Sequence, residues 1–317
     1  MKHNFKITLI ILAMFVLTQF VGIYVVDYYT PFKVIDGNII NSSAPSLPYG
    51  MHTPEIEEET DFFKIFPSIL IAFAIAISLL FFLSIFKLES VLRFWFFFVV
   101  AIALGISIMA FFPSGIKYAS FIVLATAIPL AYLKIYRRGF FLHNFTEIFI
   151  YPGIASVFAP ILNIYTIIIL LILISIYDMW AVWHSGIMQK MAKYQINTLN
   201  IFSGFFVPYI SKKIRLEKIK KSELKKKKIK VNVAILGGGD IVFPIITAGV
   251  MLREFGFSTI LGMQIPVVSL FVILGATMGL SYLFFYAEKK KFYPAMPFIT
   301  AGIFAGMILS YLFFRFI

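Results

Sequence analysis

Two aspartates stand in stretches of sequence that are otherwise almost wholly apolar. Asp178 follows Leu-Ile-Ser-Ile-Tyr, and Asp240 follows three consecutive glycines. A carboxylate inside a membrane-spanning helix costs about 2.5–3.5 kcal/mol on insertion scales, so such a residue is by default a candidate for function. Two carboxylates in contact cannot both ionise in a low dielectric, and they then share one proton. The ionised member can take a proton from water while the protonated member polarises a peptide carbonyl, and because the pair titrates as a unit, neither role belongs to one residue.

The composition indicates that the elements positioning these aspartates lie in a lipid bilayer. The chain is 61% hydrophobic and 14% charged, with a mean hydropathy of +0.93, whereas soluble domains are about half apolar and a quarter charged. The first apolar stretch is longer than a signal-peptide core and has no small-residue cleavage site after it, so we interpret it as a spanning helix. The chain has no cysteine, which excludes disulfides, thiolate nucleophiles and cysteine-based metal sites. We expect no cofactor and no metal.

The apolar stretches predict an all-α polytopic membrane protein with nine transmembrane helices in a single domain, residues 1–317. A span needs roughly 20 mostly apolar residues. The predicted spans are 5–26, 64–86, 91–112, 117–136, 145–160, 163–183, 231–251, 258–286 and 294–316. The fifth span is short and is interrupted by Pro152 and Pro160. In the long eighth span, Pro266 is expected to produce a kink near the start.

This domain is expected to divide into six spans in residues 1–183, a basic loop in 184–230 and three spans in 231–317. Placing the N-terminus in the cytoplasm puts 23 of the 28 basic residues on the cytoplasmic side, 13 of them in the 184–230 loop. The positive-inside rule therefore predicts a cytoplasmic N-terminus and an extracytoplasmic C-terminus. The count treats Lys134 as a cytoplasmic loop residue and Arg253 as an external one.

On this topology the two aspartates lie at similar depths. The sixth span ends near residue 184, about six residues beyond Asp178, and the seventh begins near 231, about nine residues before Asp240. At 1.5 Å per residue these separations are roughly 9 and 14 Å. The two spans are adjacent and antiparallel, so they can bring the carboxyl groups together. Glu147, near the start of the fifth span, is expected to reach the membrane interface instead.

The residues before Asp240 suit the handling of an extended substrate. Gly237, Gly238 and Gly239 lack side chains, so backbone or substrate can approach Asp240 closely. A substrate helix must unwind before hydrolysis, and its exposed backbone must then be paired by protein. The segment Lys228–Val233 alternates with a period of two, and we expect it to add a strand to the unwound substrate. Replacing Val231 by proline should then impair cleavage.

These residues resemble the presenilin and signal peptide peptidase family of intramembrane aspartyl proteases. That family carries Tyr-Asp in its sixth helix, Gly-x-Gly-Asp in its seventh and Pro-Ala-Leu at the start of its ninth. The matching segments stand here in that order on the corresponding predicted spans: Tyr177-Asp178, Gly237-Gly238-Gly239-Asp240 and Pro294-Ala295-Met296. The third segment departs from the family pattern because Met296 replaces leucine, a substitution that conserves volume.

The resemblance implies that Asp178 and Asp240 are catalytic and that Pro294 and Ala295 shape the cytoplasmic mouth of the site. Tyr177 is expected to orient or pack rather than to react. The implied partners are the lipid bilayer and transmembrane peptide or protein substrates whose own N-terminus faces outside. Accessory subunits or a homo-oligomer are compatible with the sequence but not implied by it. The compact loops favour a prokaryotic, archaeal-type relative that works alone in the cell membrane.

Other interpretations of the same residues stay open or are disfavoured. Two satisfied buried carboxylates, or a pathway for cations or protons, would also account for the aspartate pair. The four histidines are scattered without a His-Glu-x-x-His motif, which argues against a zinc protease. The glycine run lacks the third spaced glycine of a dinucleotide loop.

Two further patterns have structural interpretations. The lysine-rich run within 212–228 is typical of a topology determinant near anionic headgroups, although it is also a candidate site of self-processing, and no nucleic-acid partner is expected. Gly275 and Gly279 on the eighth span, and Gly302 and Gly306 on the ninth, have the Gly-x-x-x-Gly spacing of close-packing helix faces.

Overall fold

The fold consists of nine α-helices and three two-stranded antiparallel sheets within the described part of the chain. The computed structural model describes residues 5–35, 38–41, 44–54, 56, 58–113, 116, 118–137, 139–185, 201–209, 232–260, 263–287 and 293–316. The helices are α1 Phe5–Tyr29, α2 Glu59–Ile85, α3 Glu89–Ala110, α4 Ala119–Tyr136, α5 Phe140–Phe158, α6 Ile164–Trp180, α7 Gly238–Phe255, α8 Val267–Tyr286 and α9 Met296–Phe316. The strands are β1 Phe32–Ile35, β2 Asn38–Asn41, β3 Gly204–Tyr209, β4 Asn232–Gly237, β5 Ser258–Ile260 and β6 Met263–Ile265, paired in that order.

Seven of the helices in the described residues are long and apolar enough to cross a membrane: α1, α2, α3, α4, α6 with its extension to His184, α8 and α9. The remaining two, α5 and α7, carry more polar residues and pack inside the bundle. Large apolar side chains such as Phe121 and Tyr286 are exposed on the outer helices. Such exposure is what a lipid-facing surface requires, because hydrocarbon is as apolar as these side chains.

The helix α7 lies at the centre of the bundle and contacts α1, α5, α6, α8 and α9. Its residues Ile241, Ile245 and Ala248 are fully buried. Phe15 of α1 and Ile303 of α9 belong to the same apolar core. The helix α2 is peripheral, since only 6% of its most apolar 18-residue stretch is buried. The residue Asp240 is therefore carried by the most enclosed helix of the fold.

The helices α8 and α9 pack backbone against backbone through glycines. A Cβ atom on Gly275 would collide with the carbonyl of Gly302, and one on Gly279 would collide with the carbonyl of Phe298. A Cβ atom on Gly306 would likewise meet the carbonyl of Phe271. The prediction that the two Gly-x-x-x-Gly patterns are close-packing faces is confirmed.

The predicted seventh span was wrong at its start, because a strand precedes the helix. The chain is extended through β4 and turns into α7 at Gly238. Along β4, Val233 and Ile235 are exposed while Ala234 and Leu236 are buried, which is the period of two that a strand requires. Asp240 consequently lies in the first turn of α7 rather than nine residues along a helix.

The predicted eighth span also began too early. The strands β5 and β6 pair antiparallel within residues 258–265, and α8 starts at Val267. The residue Pro266 is the cap of α8 and not a kink within it, because proline lacks a backbone N–H and is tolerated where a helix begins.

Three charged residues assigned to loops or interfaces are buried instead. Lys134 and Glu147 form an ion pair between α4 and α5, with side chains 4% and 1% exposed. Arg253 is 3% exposed, and its guanidinium donates to the carbonyls of Ala159, Pro160 and Leu162. A single sequence does not reveal these long-range partners, and without partners burial would be too costly. Lys134 and Arg253 therefore should not be counted as loop charges when the positive-inside rule is used to orient the termini.

Candidate active site

The first aspartate stands near the end of α6. Asp178 is 6% exposed and lies two residues before the α-helical part of α6 ends, after which residues 181–185 continue as a π-helical turn. π-Helical turns occur often at functional sites. One turn before Asp178, the Ser175 hydroxyl donates to the Thr300 hydroxyl at 2.9 Å. This bond fixes α6 against α9 beside the carboxylate.

The carboxylate of Asp178 is held by the N-terminus of α9. Its Oδ2 accepts a hydrogen bond from the Met296 backbone N–H at 3.0 Å, and the Ala295 N–H is close enough to interact with the same carboxylate. The first N–H groups of a helix have no partner within the helix, and they lie at the positive end of its dipole. These donors offset part of the cost of burying Asp178. The Pro-Ala-Met segment thus joins the site through its backbone, which is compatible with methionine in place of leucine.

The second aspartate stands in the first turn of α7, directly after β4. The Gly237 N–H lies close enough to interact with the Asp240 carboxylate. Asp240 and Asp178 are close enough for their charges to interact, and α6, α7 and α9 all contact one another. The structure therefore brings together the three segments that the sequence singled out, at the junction of one helix end and two helix beginnings.

The three glycines before Asp240 have three different surroundings. A Cβ atom on Gly238 would lie 2.8 Å from the Tyr151 hydroxyl oxygen and 2.9 Å from the Ser203 hydroxyl oxygen. On Gly237 it would lie 3.2 Å from Oδ2 of Asp240. On Gly239 the nearest atom would be 3.8 Å away, which is ordinary contact. Of these three glycines only Gly238 is required by close packing, whereas Gly239 is exposed and has room for a Cβ atom.

The remaining motif residues surround the pair without touching both members. Tyr177 is 45% exposed, and its ring lies 6.4 Å from that of Trp180, so it points away from the buried side of α6. Pro294 is buried and Ala295 is half-buried just before α9. Pro294 and Ala295 therefore suit a role in shaping the site, whereas the exposed ring of Tyr177 does not line its buried part.

The sequence of this bundle matches a known family. A family model described as "Signal-peptide peptidase, presenilin aspartyl protease" matches residues 61–316. The chain belongs to this family. The resemblance seen in the motifs is thereby confirmed, and the protein is an aspartic endopeptidase. Comparison with curated proteins gives no match.

Solved structures show the same fold for this aspartyl protease. A presenilin family intramembrane aspartate protease crystallised in space group C222 is 16% identical, with a TM-score of 0.60 over 96% of this chain and 99% of that one. A structure of a presenilin family intramembrane aspartate protease in space group P2 is 15% identical, with a TM-score of 0.58 and 96% of each chain covered. The predicted class, an all-α polytopic membrane protein, is confirmed. Nine crossings and the orientation of the termini stay predictions.

Several polar residues near the site of this protease were missed by sequence reasoning. The Gln19 amide of α1 is fully buried and donates to the Ile241 carbonyl at 3.1 Å, beside Asp240. Tyr151 of α5 lies under Gly238, and behind it lies the Lys134–Glu147 pair. Opposite charges placed in neighbouring apolar spans could have indicated that pair. Nothing in one sequence indicates the partners of Gln19 or Tyr151.

Proposed function

We propose that this protease hydrolyses peptide bonds within transmembrane segments, with Asp178 and Asp240 as its catalytic pair. The observation that carries the proposal is that Asp178 interacts both with the N-terminus of α9 and with Asp240, inside a bundle of apolar helices. Family membership supports peptide hydrolysis, and the burial of the site among spanning helices supports a substrate that arrives within the bilayer. Tyr177, Gly239, Pro294 and Ala295 are proposed to shape the site.

The chemistry follows from two carboxylates that hold one proton between them. The ionised aspartate accepts a proton from a water molecule as the water oxygen attacks the peptide carbonyl carbon. The protonated aspartate transfers its proton to the carbonyl oxygen, so that the tetrahedral intermediate is a diol. The aspartate that took the water proton then gives it to the leaving nitrogen, one diol hydroxyl returns its proton to the other aspartate as the C–N bond breaks, and the pair again holds one proton. Neither aspartate is assigned one role, because their titration is coupled.

The sheet formed by β3 and β4 has one edge that is already occupied. The Asn144 side chain donates to the Phe206 carbonyl at 2.9 Å and accepts from the Phe206 N–H at 3.2 Å. In the same way, Nε2 of His143 is bonded to the Gly204 carbonyl at 2.8 Å. Side chains of α5 therefore satisfy the outer edge of β3. An added strand would have to use β4.

The register identifies which β4 groups face outward. In an antiparallel pair, a residue directs its backbone N–H and C=O either both toward its partner or both away from it. Phe206 directs its N–H and C=O toward Asn144, so its partner Ile235 directs its own N–H and C=O away from β3. Alternation gives the same direction to Val233 and Gly237, and the Gly237 N–H indeed points to Asp240. We propose that unwound substrate pairs along this edge. Lys228–Val231, where the sequence predicted the strand to begin, lie outside the described residues.

The catalytic assignment is tested by mixing purified protein with a generic transmembrane peptide in detergent and identifying products by mass spectrometry. Asp178→Asn and Asp240→Asn should each abolish the fragments while leaving thermal unfolding and helix content unchanged. Glu89→Gln, which alters an exposed carboxylate, is the matched control and should cleave normally. Cleavage by either aspartate variant would refute the assignment. Ion flux in liposomes that both variants alter, without any peptide product, would favour translocation instead.

The strand-addition step is tested by removing one backbone donor from β4. Ile235→Pro deletes an outward N–H and keeps the bonds to β3, whereas Ile235→Ala deletes the side chain and keeps the N–H. An unpaired backbone group in an apolar site costs about 1–3 kcal/mol, so the proline variant should cleave roughly 5- to 150-fold more slowly than the alanine variant. Equal rates for the two variants would show that this edge does not pair with substrate.

A further inference from the structure

A row of buried polar side chains on α4 and α5 leads toward Asp240 and has no part in the chemistry described above. At its base the Lys134 ammonium donates to the Glu147 carboxylate at 2.5 Å. Lys134 also lies 3.3 Å from Nδ1 of His143, whose other ring nitrogen is bonded to β3. Buried charges are costly even when paired. The pair therefore needs a physical explanation beyond filling space.

One turn along α5, Tyr151 continues the row toward the site. Its side chain is 2% exposed and lies on the same face of the helix as Glu147, four residues earlier. The Tyr151 hydroxyl lies 3.5 Å from the Ser203 hydroxyl and interacts electrostatically with Glu147, whose Oε2 has no hydrogen-bond partner among the described residues. The ion pair thus provides a fixed, charged acceptor that can orient the phenol.

The two hydroxyl groups form the floor beneath the backbone that carries Asp240. A Cβ atom on Gly238 would be too close to both hydroxyl oxygens, at 2.8 Å from that of Tyr151 and 2.9 Å from that of Ser203. The Gly238 N–H also donates to the Ser203 carbonyl at 3.2 Å. Asp240 follows two residues later and interacts electrostatically with Tyr151. A shift of either hydroxyl would therefore move the first turn of α7.

We propose that Tyr151 is a positioning residue for Asp240, oriented by the Lys134–Glu147 ion pair and acting through Ser203 and Gly238. This inference rests on the proposed role of Asp240. It gives the buried ion pair an indirect role in catalysis. The pair orients the Tyr151 phenol, and the phenol fixes the position of the turn between β4 and α7. Tyr151 contacts the backbone that carries the carboxylate and takes no part in bond making.

Catalytic geometry is sensitive to such support, since a misplacement of about 1 Å can cost 10²-fold in rate. Tyr151→Phe removes one oxygen atom and keeps the ring. We expect it to lower kcat for a transmembrane peptide about 10- to 100-fold and to leave KM unchanged, because substrate binding along β4 is untouched. A peptide with a hydroxyethylene group in place of the scissile bond mimics the tetrahedral state. Its affinity should fall by about the same factor as kcat.

Tyr29→Phe is the matched control, because Tyr29 is also buried and its hydroxyl donates to the Ile106 carbonyl at 3.0 Å, on other helices. The two variants should unfold at similar temperatures, and only Tyr151→Phe should lose kcat and analogue affinity. Ser203→Ala alters an exposed residue, so it tests the same junction even if Tyr151→Phe fails to fold. The double variant should lose no more than the more affected single variant.

The inference is overturned if Tyr151→Phe and Ser203→Ala keep the kcat and analogue affinity of the unaltered protein. It is also overturned if both quantities decline only in step with the folded fraction, as a purely structural role would require. These outcomes are separate from the failure of the proposed function. Cleavage by Asp240→Asn would refute the catalytic pair, whereas full activity of Tyr151→Phe beside an inactive Asp240→Asn would refute the positioning role alone.

Discussion

Breaking the buried ion pair between α4 and α5 should destabilise the protein far more than breaking an exposed pair of similar length. Lys134 and Glu147 are 2.5 Å apart and almost fully buried. Glu147→Gln leaves the Lys134 ammonium without its counter-charge in an apolar interior. Removing one partner of a buried pair costs about 3–5 kcal/mol. At about 2 °C per kcal/mol for a large chain, the thermal midpoint in detergent should fall by roughly 6–10 °C.

The exposed pair between Lys64 and Asp61 serves as the control. Their atoms are 2.7 Å apart, and the Lys64 side chain is 71% exposed, so water and salt screen the attraction. Lys64→Met should leave the midpoint almost unchanged, and raising the salt concentration should erase any remaining difference. The loss caused by Glu147→Gln should persist at high salt, because a buried pair is screened much less.

A double variant separates charge from packing. Combining Lys134→Met with Glu147→Gln removes both charges and roughly conserves volume, and such replacement of a buried pair is often neutral or stabilising. We therefore expect the double variant to recover most of the midpoint that Glu147→Gln loses. If the double variant is as unstable as the single one, lost packing or hydrogen bonding is responsible and the electrostatic reasoning is refuted.

Four further predictions concern two glycines, one buried arginine and the location of the C-terminus. Gly238→Ala should reduce both stability and cleavage, because its Cβ would meet two hydroxyl groups. Gly239→Ala should keep the thermal unfolding midpoint of the unaltered protein, and full activity of this variant would show that substrate does not approach Gly239. Arg253→Met leaves three buried carbonyls without a donor, so it should cost on the order of 3 kcal/mol in detergent denaturation, and lysine should not rescue it because its point charge lacks the forked donors. Reporter fusions should place the C-terminus outside the cell, and an internal C-terminus would contradict nine crossings with an internal N-terminus.

Hydropathy located most helices because a bilayer imposes one length and one composition on every span. It misplaced the start of α7 because Val233 to Leu236 is apolar enough for either a helix or a strand. The alternation of exposed and buried residues that distinguishes the two continues to Gly237. Because all four residues are apolar, this alternation of exposure does not appear in their hydropathy. Of the segment Lys228–Val233, in which the sequence alternates, only Asn232 and Val233 lie in the described part of β4, and the pairing of this segment with substrate stays a prediction.

The motif residues could be found from the sequence because their chemistry is conspicuous in an apolar context. Their support could not, since it depends on contacts between distant segments. Tyr151 and Gly238 are neighbours only after α5 packs against α7. A buried tyrosine in an apolar helix resembles ordinary core, and a lysine near a span end resembles an interfacial anchor. Only in the folded protein do Tyr151 and Lys134 lie on the side of Gly238 and Asp240.

The turn from β4 into α7 gives a physical reason for joining substrate unwinding to hydrolysis in one segment. On our proposal, a substrate strand on the outer edge of β4 runs toward Gly237, whose N–H already points to Asp240. The last paired residue would then lie beside the carboxylates without any further element to guide it. A continuous helix through 231–251 would have no such edge, because its backbone groups would be bonded internally. On this proposal the strand supplies what an aspartate pair alone lacks, which is a template that holds an extended peptide bond beside the two acids.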